Sequence, residues 1–72
     1  MNSGTAKYVS DLLLGINGQL NESLAKVKDG SSAEEFIAYR RSVARLINSI
    51  FEEILEPIYA KHPVLKPPDL EM

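Results

Sequence analysis

From Ser32 to Tyr59 the apolar residues return at steps of three and four: Phe36, Ile37, Val43, Leu46, Ile47, Ile50, Phe51, Ile54, Leu55 and Ile58. On a wheel of about 100° per residue they gather on one side of a single amphipathic helix, across roughly half its circumference. One antiparallel neighbour covers a stripe of order 100°, so this helix calls for more than one partner surface. The surplus predicts a third element or a second copy of the chain.

A narrower pattern precedes it. Between about Thr5 and Lys28, Val9, Leu12, Leu13, Ile16, Leu20, Leu24 and Val27 recur at helical spacing over an arc of roughly 120°, which suits packing against one main neighbour. Ser3 or Thr5 is placed to cap its start. Asp29, Gly30 and Ser31 form the turn, with Gly30 expected in the left-handed conformation that ends many helices and Lys28 in the last turn. Ser32 with Glu35 matches a capping box, the most specific local signal in the chain. So short a connection makes the two helices antiparallel neighbours.

These signals predict an all-α fold in one domain spanning residues 1–72. Helix 1 runs over about 5–28, the turn over 29–32 and helix 2 over about 33–60, with a kink near Pro57, whose ring crowds the carbonyl of Glu53. An extended tail follows over 62–72, because Pro63 pushes His62 out of the helical region and Pro67 and Pro68 follow. A chain of this length buries only about 60% of its unfolded surface, and it has no cysteine to supply a disulfide. Oligomerisation is the remaining common source of stability, and the expected assembly is a homodimeric antiparallel four-helix bundle. That architecture resembles two-helix hairpins that dimerise into bundles, with no shared sequence motif. The core and dimer interface is assigned to Phe36, Val43, Leu46, Ile47, Ile50, Phe51, Ile54 and Ile58.

Other surfaces carry possible partner contacts. Gly15 and Gly18 lie away from the apolar stripe of helix 1, where each costs about 1 kcal/mol relative to alanine. Ser10, Leu14, Gly18, Asn21 and Ala25 line one flank there, which would form a shallow groove for another helix; tolerated glycines or a bend near Asn17 is the plainer reading. Val64, Leu65 and Leu70 give the tail something to bury, against this chain or another protein. Arg40 projects among the apolar residues of helix 2 and must either extend past its own stem to the edge or find a partner near Gln19 or Glu22. Arg40, Arg41 and Arg45 together invite a nucleic-acid reading, weakened by Glu34, Glu52 and Glu56 on the same outer face. Arg41 with Glu56 and Arg45 with Glu52 are symmetric about a point near Asn48, so two antiparallel copies of helix 2 would match opposite charges.

The chemistry of catalysis is not signalled. His62 stands alone in the proline-rich exit, no serine, histidine and acid are placed as a triad, and no glycine loop has phosphate-cradle spacing. Glu53 and Glu56 share the three-residue spacing of carboxylate metal sites, but such sites want an inward Glu-x-x-His, and a solvated acidic face is the simpler reading. No cofactor or metal is expected. A net charge of -2 and a pI near 5.2 supply no global attraction to nucleic acid or to a membrane. With no export signal and no membrane span, the cytoplasm is the expected location. The expected role is a small non-catalytic interaction module, a homodimeric adaptor, regulator or inhibitor. A nucleic-acid-binding regulator is the second reading, and an enzyme subunit or metal carrier the third.

Overall fold

The computed structural model describes residues 1–67, all helix and turn, arranged as two long antiparallel rods. The first, α1, spans Ser3–Gly30. Asn2 rather than Ser3 or Thr5 caps it: the Thr5 N–H donates to Asn2 Oδ1 at 2.8 Å, satisfying one of the free first-turn donors. At the other end Gly30 stays helical, no residue among those described takes a positive φ, and the extended Ser31 and Ser32 carry the turn by themselves. The left-handed glycine expected from sequence is absent because the chain leaves α1 through an extended serine instead.

The return rod opens with α2, Ala33–Ile50. Both arms of its capping box are made. The Glu35 N–H donates to Ser32 Oγ and the Ser32 N–H donates to Glu35 Oε1, each at 3.1 Å. After Ile50 the rod does not break, but it widens. Phe51–Leu55 form a π-helical turn in which the Glu56 N–H donates to the carbonyl of Phe51, five residues back. The α-helical spacing resumes in α3, Glu56–Lys61, with Pro57 in its first turn.

This wide turn stands just before Pro57, where the kink is expected, and the proline explains it. Pro57 has no N–H to give, and in an unbroken α-helix its ring would press on the carbonyl of Glu53. A wide turn one step earlier relieves that contact while keeping the rod continuous. It also inserts one residue, so everything beyond it is rotated by about 100° from its place on a regular helix. Leu55 and Tyr59 thereby come round to the side of Val43. Ile54, inward on a regular wheel, is turned toward solvent, 40% exposed.

The core sits at the open end of the hairpin. Ala6, Leu55, Ile58 and Tyr59 are buried together, with Val9, Leu13, Leu14, Ile50, Phe51 and Leu65 packed around them. Leu65 arrives there because the exit is not extended throughout. His62 leaves the helical region at φ -132°, as its place before a proline dictates, and Pro63–Leu65 then close a 3-10 turn. The Lys66 N–H donates to the Pro63 carbonyl at 3.2 Å. Prolines at the first position of such a turn lose no needed donor, so the proline-rich exit folds back against the hairpin. Leu70 lies outside the described residues.

Candidate interaction surface

Two tyrosine-serine bonds fix which flanks of the rods face the same way. Ser23 Oγ donates to the Leu20 carbonyl at 2.6 Å, which leaves the Tyr39 hydroxyl to donate to Ser23 Oγ, also at 2.6 Å. Ser10 Oγ and the Tyr59 hydroxyl share a buried bond of 2.8 Å. The first bond marks one broad face of the hairpin, and the second marks the opposite face.

Steps of seven and four along α1 from Ser23 reach Ile16 and Leu12, on the flank of the Ser23–Tyr39 face. A step of seven along α2 from Tyr39 reaches Leu46 on the same face, and Ile54 follows beyond Ile50. Leu12, Ile16, Leu46 and Ile54 are the large aliphatic side chains this face leaves open, each between 36% and 50% exposed. The half-buried Val9, Leu20 and Ile50 lie between them and the seam. At the open end the face runs into a shallow cavity of about 230 Å³ lined by Ile54, Ile58 and Pro57, with Glu53, Lys61 and His62 at its rim. His62 Nε2 lies 3.3 Å from the Met1 carbonyl, which ties the exit to the N-terminus.

The opposite face differs in kind. Ser10 is buried rather than open, Leu14 is half-buried against the core, and Asn17 is buried at 6% exposure. The groove expected from Ser10 to Ala25 is therefore used up at its start within the chain itself. The cause is Tyr59: brought inward by the π-turn, its ring needs small side chains opposite, and Ala6 and Ser10 provide them. Leu12 and Ile16, which the wheel assigned to the seam, are exposed, because Ala6, Ser10 and Asn17 are the α1 side chains that the return rod covers. Gly15 and Gly18 face open space, with nothing within 4 Å of where a Cβ would stand.

Asn17 is the anomaly of the seam. Both its amide oxygen and nitrogen are buried without a hydrogen-bond partner. Buried polar groups are nearly always paired, and an orphaned one costs about 1–3 kcal/mol.

The charged candidates do not converge. Arg40, Arg41 and Arg45 are all exposed, and the Arg40 guanidinium rests 6.0 Å from the centre of the Phe36 ring, at the edge of the apolar seam rather than within it. No carboxylate pairs with it, and neither Gln19 nor Glu22 bonds it: the one ion pair among the described residues joins Lys7 to Asp11, one turn apart, at 2.7 Å. Arg41 and Arg45 have no acid paired with them among the described residues, and Glu53 lies beside Ile54 at the cavity. Among the described residues no three His, Asp or Glu side chains converge. The titration of Glu35 is displaced. The backbone N–H of Ser32, then its hydroxyl, holds the carboxyl below the usual glutamate range.

Of the interface residues expected from sequence, Val43 and Ile58 are buried; Phe36, Ile47, Ile50 and Phe51 are half-buried; Leu46 and Ile54 are open. Sequence reasoning passed over Tyr39, Tyr59 and Ser23, and placed Ser10 in an open groove. The signal that would have found them is the pairing of a small hydroxyl residue on one rod with a tyrosine at the facing level on the other. No helix is long and apolar enough to cross a membrane among the described residues. No family model matches the chain, and neither a curated protein nor a solved structure similar to it is found.

Proposed function

We propose that this chain is a small non-catalytic protein-interaction module that works as a homodimer, in the role of an adaptor, regulator or inhibitor. The observation that carries the reading is the open aliphatic face: Leu12, Ile16, Leu46 and Ile54, all exposed and placed by helical spacing on one side of a two-helix hairpin. Four open aliphatic side chains sharing one side of so small a chain favour a surface that another protein covers. Two rods alone also make a thin domain, 44 × 21 × 16 Å, with a single short layer between them. Stacking a second hairpin on the open face turns that layer into the core of a four-helix bundle.

The measurement is sedimentation equilibrium across a wide range of protein concentration. A species of twice 8.0 kDa, weakened by Leu46→Glu with helicity retained, is the expected result. A compact monomer at every concentration would remove the reading.

A further inference from the structure

Resting on the homodimer reading, the positions of the exposed groups go further and define how the two copies meet. We infer that the second copy seats on the Leu12, Ile16, Leu46 and Ile54 face in the opposite direction, about a two-fold axis perpendicular to the rods. The axis passes between Leu12 and Ile16 on α1 and beside Ser49 on α2.

Three observations place it there. First, the two open aliphatic residues of α1 are Leu12 and Ile16, and a two-fold axis between them at residue 14 sets each against the other's counterpart in the second copy. Second, on the return rod Arg45 and Glu53 stand next in sequence to the open Leu46 and Ile54, and neither has an ion-pair partner among the described residues. They lie equally far on either side of Ser49, so an axis at Ser49 brings Arg45 of each copy to Glu53 of the other. Third, the cross-rod bonds bring the two centres to similar heights. Counted from Tyr39–Ser23, His62–Met1 and Tyr59–Ser10 in turn, residue 14 lies level with residues 48, 49 and 55 of the return rod. An axis deduced from aliphatic residues on one rod is thus compatible with an axis deduced from charges on the other.

Area and alternatives agree with this. The axis falls near the middle of α1, so the rods overlap along nearly their whole length. A face of 44 × 21 Å presents about 900 Å² in projection, against about 800 Å² per partner in a stable interface of standard size. In a parallel pairing each α1 lies over the other copy's α2, Arg45 has no acid opposite it, and the symmetry of the charges serves nothing. Ile37, 46% exposed, is the one other large open aliphatic side chain of α1 and α2, and Leu14, Asn17 and Ser10 are already covered.

The absence of native cysteine makes the test direct. A disulfide requires Cα atoms within about 7 Å. Ser49 is exposed and next to the axis, so Ser49→Cys is expected to oxidise to a covalent dimer in high yield at concentrations where the protein associates. Ser42 is exposed on the same edge but seven residues from the axis, so its two copies stand about 21 Å apart and Ser42→Cys is expected to remain uncrosslinked. An equimolar mixture of Leu12→Cys and Ile16→Cys chains is expected to form the mixed 12-to-16 disulfide in clear excess over either symmetric one, read by mass spectrometry of the digest. Glu53→Arg is expected to weaken the dimer about three- to tenfold, and adding Arg45→Glu to restore it, as for flanking charges that choose orientation. A dimer in which Ser49→Cys fails to crosslink, or crosslinks no better than Ser42→Cys, overturns the antiparallel arrangement and leaves the homodimer standing. A monomer at every concentration removes both.

Discussion

The two ends of the hairpin are built from the same two rods, yet only one of them has a core. At the open end Ala6, Leu55, Ile58 and Tyr59 are buried, with Leu65 folded over them from the exit turn. At the loop end Leu20, Leu24, Val27, Phe36 and Tyr39 reach only half-burial. The contrast shows what two helices can and cannot do. A pair of rods covers one stripe of each, and a side chain in that stripe keeps an open flank on both broad faces. Val43 is buried within the two-rod stretch, but a cluster of buried residues forms only where a third segment arrives and where the π-turn presents bulky residues to small ones across the seam. The loop end has neither, and its stability rests on local devices: the capping box, the Tyr39 bond to Ser23 and the Arg40 contact with Phe36.

The most forceful way to break this contrast is to truncate one side chain at each end. Leu55 is fully buried and the largest side chain so placed, so Leu55→Ala is expected to cost about 2–5 kcal/mol. That is a fall in Tm of about 10 °C or more in a domain of this size. Leu24→Ala, at the half-buried end, is expected to cost less than half as much. Thermal unfolding followed by circular dichroism compares the two directly. Equal losses would mean that the ends are equally well packed and that the contrast is false.

A second substitution sharpens it from the middle of the seam. Asn17 divides the two ends, buried with neither amide atom bonded. Replacing it with leucine removes that cost and adds apolar burial, so Asn17→Leu is expected to stabilise the chain by about 1–3 kcal/mol. Buried asparagines in helical bundles also fix register and partner number. The same variant is therefore expected to populate additional oligomeric species in sedimentation. A destabilised Asn17→Leu would show that the amide has a needed partner.

What could be read from sequence follows from which rules are local. The capping box at Ser32 and Glu35 depends on a few consecutive residues, and the pattern of apolar residues in each rod depends only on helical spacing. Both therefore foretell the all-α hairpin. The excess of apolar residues in the second rod is likewise visible on a wheel, and Ile37 and Leu46 are indeed among those left open. A wheel assumes a constant 100° per residue, however, and the π-turn violates that assumption at one point. From there the residues that meet the partner rod are Leu55 and Tyr59, and the small side chains that face Tyr59, Ala6 and Ser10, redefine the seam of α1. Pro57 was the local sign that the spacing would change, but a proline states only that an α-turn is unfavourable and leaves open which remedy the chain adopts. Asn17 and Ser10 escaped because polar residues are assigned to the surface by type, while burial is decided by what stands opposite.

Two glycines sharpen the comparison more gently. Gly15 and Gly18 lie in the interior of α1 beside the seam's midpoint, and no atom would meet an added methyl group. Alanine at either position gains helix propensity without a clash, so Gly15→Ala and Gly18→Ala are each expected to stabilise the chain by about 0.5–1 kcal/mol. The increments should add, since each acts on the backbone of its own turn. If either variant loses stability, something outside the hairpin approaches α1 closely there, and the back of α1 would join the open aliphatic face as a contact surface.

The smallest expected effect belongs to the loop end and is read through pH. Glu35 titrates below the usual glutamate range because its carboxylate accepts the backbone N–H of Ser32 and then the influence of its hydroxyl. A carboxyl depressed on folding adds stability that is fully present above its unfolded value, about 4.3. That contribution is lost as pH falls through the lower folded value. Glu35→Gln keeps an acceptor at the same place but cannot titrate, so the Tm difference between the two proteins is expected to be constant above about pH 5 and to shrink on acidification below it. Because Glu35 is fully exposed, solvent screens the interaction and the difference stays small. Carbon-detected NMR titration of the Glu35 carboxyl gives the direct reading, and a midpoint at or above that of a free glutamate would show that the capping box is open in solution and that the loop end lacks even this local support.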